Sequence, residues 1–136
     1  MIFLMQEWLE LILRWFHVIA GIAWIGSSFY FIALDLSLRQ NQNLPPKSHG
    51  EAWQVHGGGF YHLVKYLVAP SKLPSELTWF KWEAYATWVS GFALLALIYY
   101  AGAELYLIDM IKYDFEKYEA ILISIFGIIF GWLVYD

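Results

Sequence analysis

The sequence predicts an all-α membrane protein with three transmembrane helices and a short β-hairpin in the first connecting loop. The chain of 136 residues is 60% hydrophobic and only 15% charged, whereas a soluble domain is about half apolar and about a quarter charged. Long runs without a formal charge recur three times along the chain. Aromatic residues make up 21% of it, and such side chains are enriched where helices meet the membrane surface. These observations exclude an ordinary soluble or disordered chain.

The first two predicted helices are delimited by charged residues. The three predicted helices cover, in order, about residues 9–38, 79–103 and 119–135. Twenty uncharged residues lie between Arg14 and Asp35, and another 20 lie between Glu83 and Glu104. Twenty helical residues reach about 30 Å, the thickness of the hydrocarbon core of a bilayer. The third run follows Glu119 and has only 16 residues, so it is marginal in length.

Charge placement predicts the orientation and excludes one class of partner. The loop between the first two spans holds five lysine or arginine residues, and the next connection holds two. Because basic residues favour the cytoplasmic side, the first loop is predicted to be cytoplasmic and the N-terminus outside. The net charge of −4 and the pI of about 5.5 provide no basic surface for a nucleic acid.

His17 is the candidate cofactor-binding residue. It is predicted to lie inside the membrane, where an ionisable group suggests a function. A neutral imidazole is a good iron ligand, and Gly21, one turn further on, leaves room for a flat macrocycle, so an axial ligand to haem b is one interpretation. The alternative is a histidine that hydrogen-bonds a neighbouring helix or pairs near Arg14. The other predicted spans contain no histidine.

The stretch "EAWQVHGGGFYHLVKY" predicts a hairpin over about residues 51–67. If Gly57, Gly58 and Gly59 form a three-residue turn, strand alternation places His56 and His62 on the same polar face. The competing interpretation is an amphipathic helix, because apolar residues in this stretch also fit a helical stripe.

The predicted polar face has chemistry suited to an anionic substrate. Histidine transfers protons near neutral pH, so His56 and His62 are the candidate catalytic residues. Glycine backbone N–H groups and lysine side chains attract anions. The candidate substrate-binding residues are Gly57, Gly58, Gly59, Lys65 and Lys81. Two histidines without a third ligand do not predict a metal site, and solvated loop histidines with Lys81 as an interface anchor remain the alternative.

Three stretches resemble the N-terminal membrane domain of the cytochrome-c-linked urate oxidases: "RWFHVIAGIAWIGSSFYF", "WQVHGGGFYHLVKYLVAP" and "LTWFKWEAYATWVSGF". In that family a multi-span membrane domain precedes a periplasmic c-type cytochrome domain. The resemblance implies oxidation of urate toward 5-hydroxyisourate, with electrons passing to cytochrome c. It also implies the inner membrane of a bacterium as the location.

The resemblance implies that residues 1–136 are a partial membrane domain. The chain contains no cysteine, so a c-type haem is expected only in a cytochrome domain absent from it. The expected partners are membrane lipid, the remaining membrane helices, a c-type cytochrome domain or subunit, and urate. The piece alone is expected to be inactive.

A non-enzymatic function is the alternative. "HVIAGIAWIG" also resembles the b-haem-dependent type of protoporphyrinogen oxidase, another small membrane protein with a histidine in its first helix. The chain is then expected to be a haem-binding, electron-transfer or assembly subunit.

Overall fold

A computed structural model describes residues 2–109, 111–112 and 115–136. In chain order its elements are α1 (Ile2–Ser37), β1 (Ser48–His56), β2 (Gly59–Tyr66), α2 (Trp82–Leu94), a π-helical segment (Leu95–Tyr100), α3 (Ala103–Tyr106) and α4 (Lys117–Tyr135). The chain divides into two compact units. One comprises Met1–Ile22 with Trp82–Asp136, and the other comprises Ala23–Lys81.

Two helices of the described chain are long and apolar enough to cross a membrane, by length and composition alone. They are Leu4–Ser37 within α1 and Lys117–Tyr135, which is α4. Only 11% of the apolar window of α1 and 6% of that of α4 are buried. These helices therefore do not form the core of a soluble fold by burying one another. A capping box formed by Glu116 and Glu119 starts α4, satisfying backbone N–H groups that a helix leaves unpaired.

The prediction of three transmembrane helices is wrong at the second span, residues 79–103. There α2 has only 13 residues, about 20 Å of helix. It continues into the six-residue π-helical segment, and the chain turns before the four-residue α3. Within the residues that the structure describes, the fold is therefore two long apolar helices, two shorter ones, a π-helical segment and a two-stranded sheet.

The end of the π-helical segment shows why a hydropathy pattern misplaces this span. The backbone N–H of Ala101 donates to the Ala96 carbonyl over 2.9 Å, a hydrogen bond five residues back. A Cβ added at Gly102 would lie 2.7 Å from the Ile98 carbonyl oxygen, so the turn needs a glycine there. Hydropathy does not register either feature, because both belong to the backbone.

The strands β1 and β2 form an antiparallel hairpin whose turn differs from the predicted one. His56 pairs with Gly59 and Val55 with Phe60, so the turn contains two residues rather than three. Gly57 and Gly58 have φ angles of 57° and 80°. A two-residue turn with positive φ at both positions matches the twist of the strands, and glycine adopts it without steric cost.

The shorter turn shifts the register by one residue and changes the faces of the hairpin. Trp53 now pairs with His62, so both lie on one face with Val55 and Phe60. His56 lies on the opposite face, because neighbouring residues of a strand point to opposite sides. The predicted polar face shared by His56 and His62 is therefore wrong.

The face of the hairpin that carries Ala52 and Gln54 packs on the second half of α1. Ala52 is 5% exposed. The Tyr30 hydroxyl donates to the Gln54 side-chain oxygen over 2.7 Å. Lys65 Nζ lies 2.6 Å from an oxygen of Asp35, so an ion pair joins β2 to the same helix.

The two-residue turn predicts different effects of two substitutions at Gly57. Replacement by valine should destabilise the hairpin by about 1–2 kcal/mol, because a β-branched residue is strained at positive φ. Replacement by asparagine should be nearly neutral, because asparagine tolerates this conformation. Hydrogen exchange of the β1 amides measures the difference, and equal protection in Gly57→Val and Gly57→Asn would contradict the turn.

Candidate functional site

The His17 ring lies between α1 and α2. Its Nδ1 atom is 3.1 Å from the carbonyl oxygen of Thr87 and 3.0 Å from the side-chain oxygen of Ser90. Ser90 is 2% exposed, whereas the imidazole is only half-buried. The pair of contacts fixes the orientation of the ring against α2.

These contacts also assign the proton of the neutral ring. A carbonyl oxygen only accepts hydrogen bonds, so the contact with Thr87 places the proton on Nδ1. The Ser90 hydroxyl donates to the Ala86 carbonyl over 2.7 Å, which leaves its oxygen free to accept from His17. The other ring nitrogen, Nε2, then carries a lone pair, and it has no hydrogen-bond partner within the described residues.

Small residues on both helices allow this close approach. A Cβ added at Gly91 would lie 3.0 Å from Cε1 of His17, and one added at Gly21 would lie 4.0 Å from the methyl group of Thr87. Ala20 is 6% exposed. Small residues bring helix backbones together in this way when no apolar driving force does so. Any side chain larger than hydrogen at residue 91 would therefore displace the imidazole.

The His17 ring shares one feature with histidines that ligate a metal. A histidine that binds a metal usually donates its other ring N–H to a carbonyl or carboxylate, and this contact fixes the tautomer. The Thr87 carbonyl supplies that partner here. No three His, Cys, Asp or Glu side chains among the described residues group around a possible metal ion, but an axial haem site requires only one nitrogen from this chain.

A second polar cluster lies midway along the hairpin, on the face turned away from α1. His62 Nε2 is 2.7 Å from one oxygen of Glu51, and Asn41 donates to the other oxygen over 2.9 Å. The Trp53 ring stacks on the His62 ring, with centroids 4.3 Å apart and planes inclined by 13°. A carboxylate that holds one nitrogen of an imidazole leaves the other nitrogen able to take up a proton.

Hydrogen bonding keeps Glu51 ionised. The bond from Asn41 and, after it, the bond from His62 lower the pKa of Glu51 below its ordinary value of 4.5. Both bonds stabilise the carboxylate form and outweigh the opposing effect of desolvation. The carboxylate is therefore present at neutral pH to orient His62.

The structure places His56, Lys65 and the turn glycines apart from the contact between His62 and Glu51. His56 is exposed on the opposite face of the hairpin. Lys65 pairs with Asp35 of α1. Lys81 is exposed directly before α2, and Gly57 and Gly58 form the turn. The functional roles predicted for these residues, and for Gly59, stay predictions.

Sequence reasoning missed the residues that orient the two histidines. Glu51 contacts His62 and in turn accepts a hydrogen bond from Asn41, and Ser90 contacts His17. The Ser-Gly pair at residues 90–91 was a usable signal, because two small residues inside an aromatic stretch favour close helix packing. The pairing of Glu51 with His62 required the correct register of the hairpin.

The structure therefore combines long apolar helices, a histidine held by a backbone carbonyl, and a hairpin that carries a carboxylate–imidazole pair. The chain matches the model of the urate oxidase N-terminal family over residues 3–136, and it belongs to that family. No curated protein and no solved structure matches it. The family confirms the resemblance to urate oxidases and relates the chain to the oxidation of urate.

The tight contact at Gly91 predicts a destabilising effect of a single methyl group. Gly91→Ala should destabilise the packing of α1 on α2 by about 1–3 kcal/mol, because the added Cβ pushes the imidazole away from the Thr87 carbonyl. Gly26→Ala is the matched control, since a Cβ there meets nothing within 4 Å.

Both substitutions gain the same helix propensity of about 1 kcal/mol. Their difference in the free energy of unfolding in detergent micelles therefore isolates the contact with His17. Equal stability of the two variants would mean that a Cβ at residue 91 does not displace the His17 ring.

The lowered pKa of Glu51 predicts an acid-sensitive hairpin. A carboxyl group with a lowered pKa in the folded state stabilises the fold above its unfolded pKa, and this stability is lost as the pH falls through the folded pKa. In Asn41→Ala the largest cause of the shift is removed, so the pKa of Glu51 should rise toward 4.5 and the hairpin should weaken at a higher pH. A carbon NMR titration of the Glu51 carboxyl measures this, and an unchanged midpoint would contradict it.

Proposed function

We propose that this chain acts in the oxidation of urate at the bacterial inner membrane. The match to the urate oxidase N-terminal family over residues 3–136 is the observation that carries the proposal. The two long apolar helices supply the membrane-spanning parts. The N-terminus is outside and the hairpin is cytoplasmic, in keeping with the distribution of lysine and arginine.

The proposed reaction is the hydroxylation of urate by water. Urate and one water give 5-hydroxyisourate, two protons and two electrons, and a c-type cytochrome accepts the electrons one at a time. The cytochrome is a separate domain or subunit, because this chain has no cysteine to hold a c-type haem covalently. The protein therefore needs a group that takes up protons and a route for electrons.

His62 is the proposed proton acceptor. Glu51 holds its Nε2 atom at 2.7 Å and orients the ring, and the stacked Trp53 ring limits its rotation. His56 lies on the opposite face of the same hairpin. It has no carboxylate partner among the residues that the structure describes. Of the two predicted catalytic histidines, His62 has the geometry of an oriented base.

His17, near the outer end of α1, is the residue that would hold a haem b in this proposal. A haem held there would supply one-electron transfer between urate and the cytochrome. Thr87 holds the Nδ1 proton, Ser90 supports the ring, and Gly91 leaves the space that the ring occupies. These residues keep Nε2 available as the ligating atom.

The alternative function is a membrane haem-binding, electron-transfer or assembly subunit without urate chemistry of its own. The His17 arrangement alone favours it, since that site does not involve the hairpin. The two functions differ in whether the hairpin histidines affect urate turnover.

Urate-dependent reduction of cytochrome c in membranes that contain the full-length protein tests the proposal. Without oxygen, urate should reduce two cytochromes per molecule. His62→Gln should lower the rate by about 10²-fold or more, the usual contribution of a general base. His49→Gln, an exposed hairpin histidine, is the matched control and should leave the rate unchanged.

The same membranes separate the alternatives. His17→Gln should abolish the b-type haem spectrum while the c-type spectrum remains. A full rate in His62→Gln would contradict the catalytic role. Loss of the haem spectrum in His17→Gln, together with no urate-dependent reduction in the unmutated protein, would favour the electron-transfer subunit.

A further inference from the structure

The hairpin is folded back along α1. Three contacts establish its direction: Arg39 pairs with Glu51 through the backbone, Lys65 contacts Asp35, and Tyr30 contacts Gln54. From its base toward its turn, the hairpin therefore contacts residues that lie progressively earlier in the chain: Arg39, Asp35 and then Tyr30. Tyr30 lies about 7.5 Å from Asp35 along the helix at 1.5 Å per residue, and the turn lies further in the same direction.

The end of the hairpin nearest the turn is uncharged and apolar. The hairpin tip, defined as residues 53–61, contains no lysine, arginine, aspartate or glutamate. Three large apolar side chains of the tip lie on the face turned away from α1, and all three are strongly exposed: Trp53 at 67%, Val55 at 66% and Phe60 at 77%. An apolar cluster of this kind on a surface marks a site of interaction.

The polarity of the hairpin follows that of the helix on which it packs. The base of the hairpin, with Glu51 and Lys65, lies beside the part of α1 that carries Asp35. The tip points toward the uncharged stretch that runs from Arg14 to Asp35. Along the axis of α1, the charged end of the hairpin therefore lies beside the charged end of the helix, and the apolar tip lies toward the uncharged part of the helix.

From this matched polarity we infer that the hairpin tip inserts into the cytoplasmic headgroup region of the lipid bilayer. The inference rests on the placement of α1 across the membrane in the proposed function. Tryptophan and phenylalanine partition into this region, where an apolar face enters to a depth of about 5–10 Å. Lipid is the occupant because α1 also exposes a large apolar side chain beside Tyr30, the residue that contacts the hairpin: Phe29 is 65% exposed.

The backbone limits how far the tip goes. A two-stranded sheet has unpaired N–H and C=O groups along both outer edges, and these groups are not tolerated in hydrocarbon. The tip therefore stays in the hydrated headgroup region. Glu51 lies just beyond the tip, and His62, which pairs with Trp53 across the strands, is level with the end of the tip farthest from the turn. Both side chains therefore lie at the aqueous boundary of the headgroup region, where urate has access.

The absence of native cysteine allows a direct test with single labels. A fluorescent label is attached to Phe60→Cys in the cysteine-free chain of 136 residues, in vesicles of phosphatidylethanolamine with a minor share of phosphatidylglycerol. One quencher is a phospholipid with a nitroxide near the top of its acyl chain, and the other is aqueous iodide. Gln42→Cys, in the exposed loop before β1, is the aqueous control, and Phe29→Cys on α1 is the membrane control.

The label at residue 60 should be quenched severalfold more by the nitroxide lipid, and severalfold less by iodide, than the label at residue 42. Equal accessibility of both labels to iodide would overturn the inference. Protection from both quenchers would also overturn it, because a protein would then cover the tip. If the label at residue 29 escapes the lipid quencher, the proposed membrane placement fails as well. Val55→Cys repeats the test if Phe60→Cys does not fold.

Discussion

The hydrogen bond between the His17 ring and the Thr87 carbonyl joins α1 to α2 and selects which ring nitrogen is left available. Because the acceptor belongs to the backbone, no substitution of the Thr87 side chain removes it directly. The bond depends instead on how closely the helices approach. Gly91 leaves the ring its space, and the buried Ser90 hydroxyl supports Nδ1 while donating to its own helix. The chemistry of one histidine is thus set by two small residues on another helix.

A second consequence of backbone geometry concerns the hairpin. The Gly57–Gly58 turn sets a register in which His62 meets Glu51 and stacks on Trp53. A shift of one residue moves every side chain to the other face, so the same sequence with a longer turn would pair His62 differently. The proton-transfer role proposed for His62 therefore depends on the turn that Gly57 and Gly58 form.

The parts of the fold that depend on side-chain hydrophobicity could be predicted from the sequence, and those that depend on backbone hydrogen bonds could not. The uncharged run from Arg14 to Asp35 correctly indicated a long apolar helix, and the glycine-rich stretch indicated a strand pair. The second span was wrong because the change from α2 to π-helical hydrogen bonding leaves hydropathy unaltered. The register was wrong because strand alternation alone does not choose between a two-residue and a three-residue turn.

The two histidines of the candidate site could be predicted from the sequence, but their hydrogen-bond partners could not. His17 stood out as an ionisable residue in an apolar stretch, and His62 as part of a glycine-rich loop. Their partners are a backbone carbonyl and a glutamate that is eleven residues away in sequence, and neither has a distinctive local pattern. The family match relates the chain as a whole to urate oxidation, and the roles of these residues stay predictions.

The availability of Nε2 on His17 is the central claim, and nitrogen NMR of the histidine-labelled protein in micelles tests it most directly. The chain has four histidines, so the spectrum of His17→Gln identifies the His17 signals by subtraction. The neutral ring should show a protonated Nδ1 and an unprotonated Nε2, as the Thr87 carbonyl requires. A protonated Nε2 with an unprotonated Nδ1 would contradict the hydrogen bond to Thr87 and the role proposed for His17.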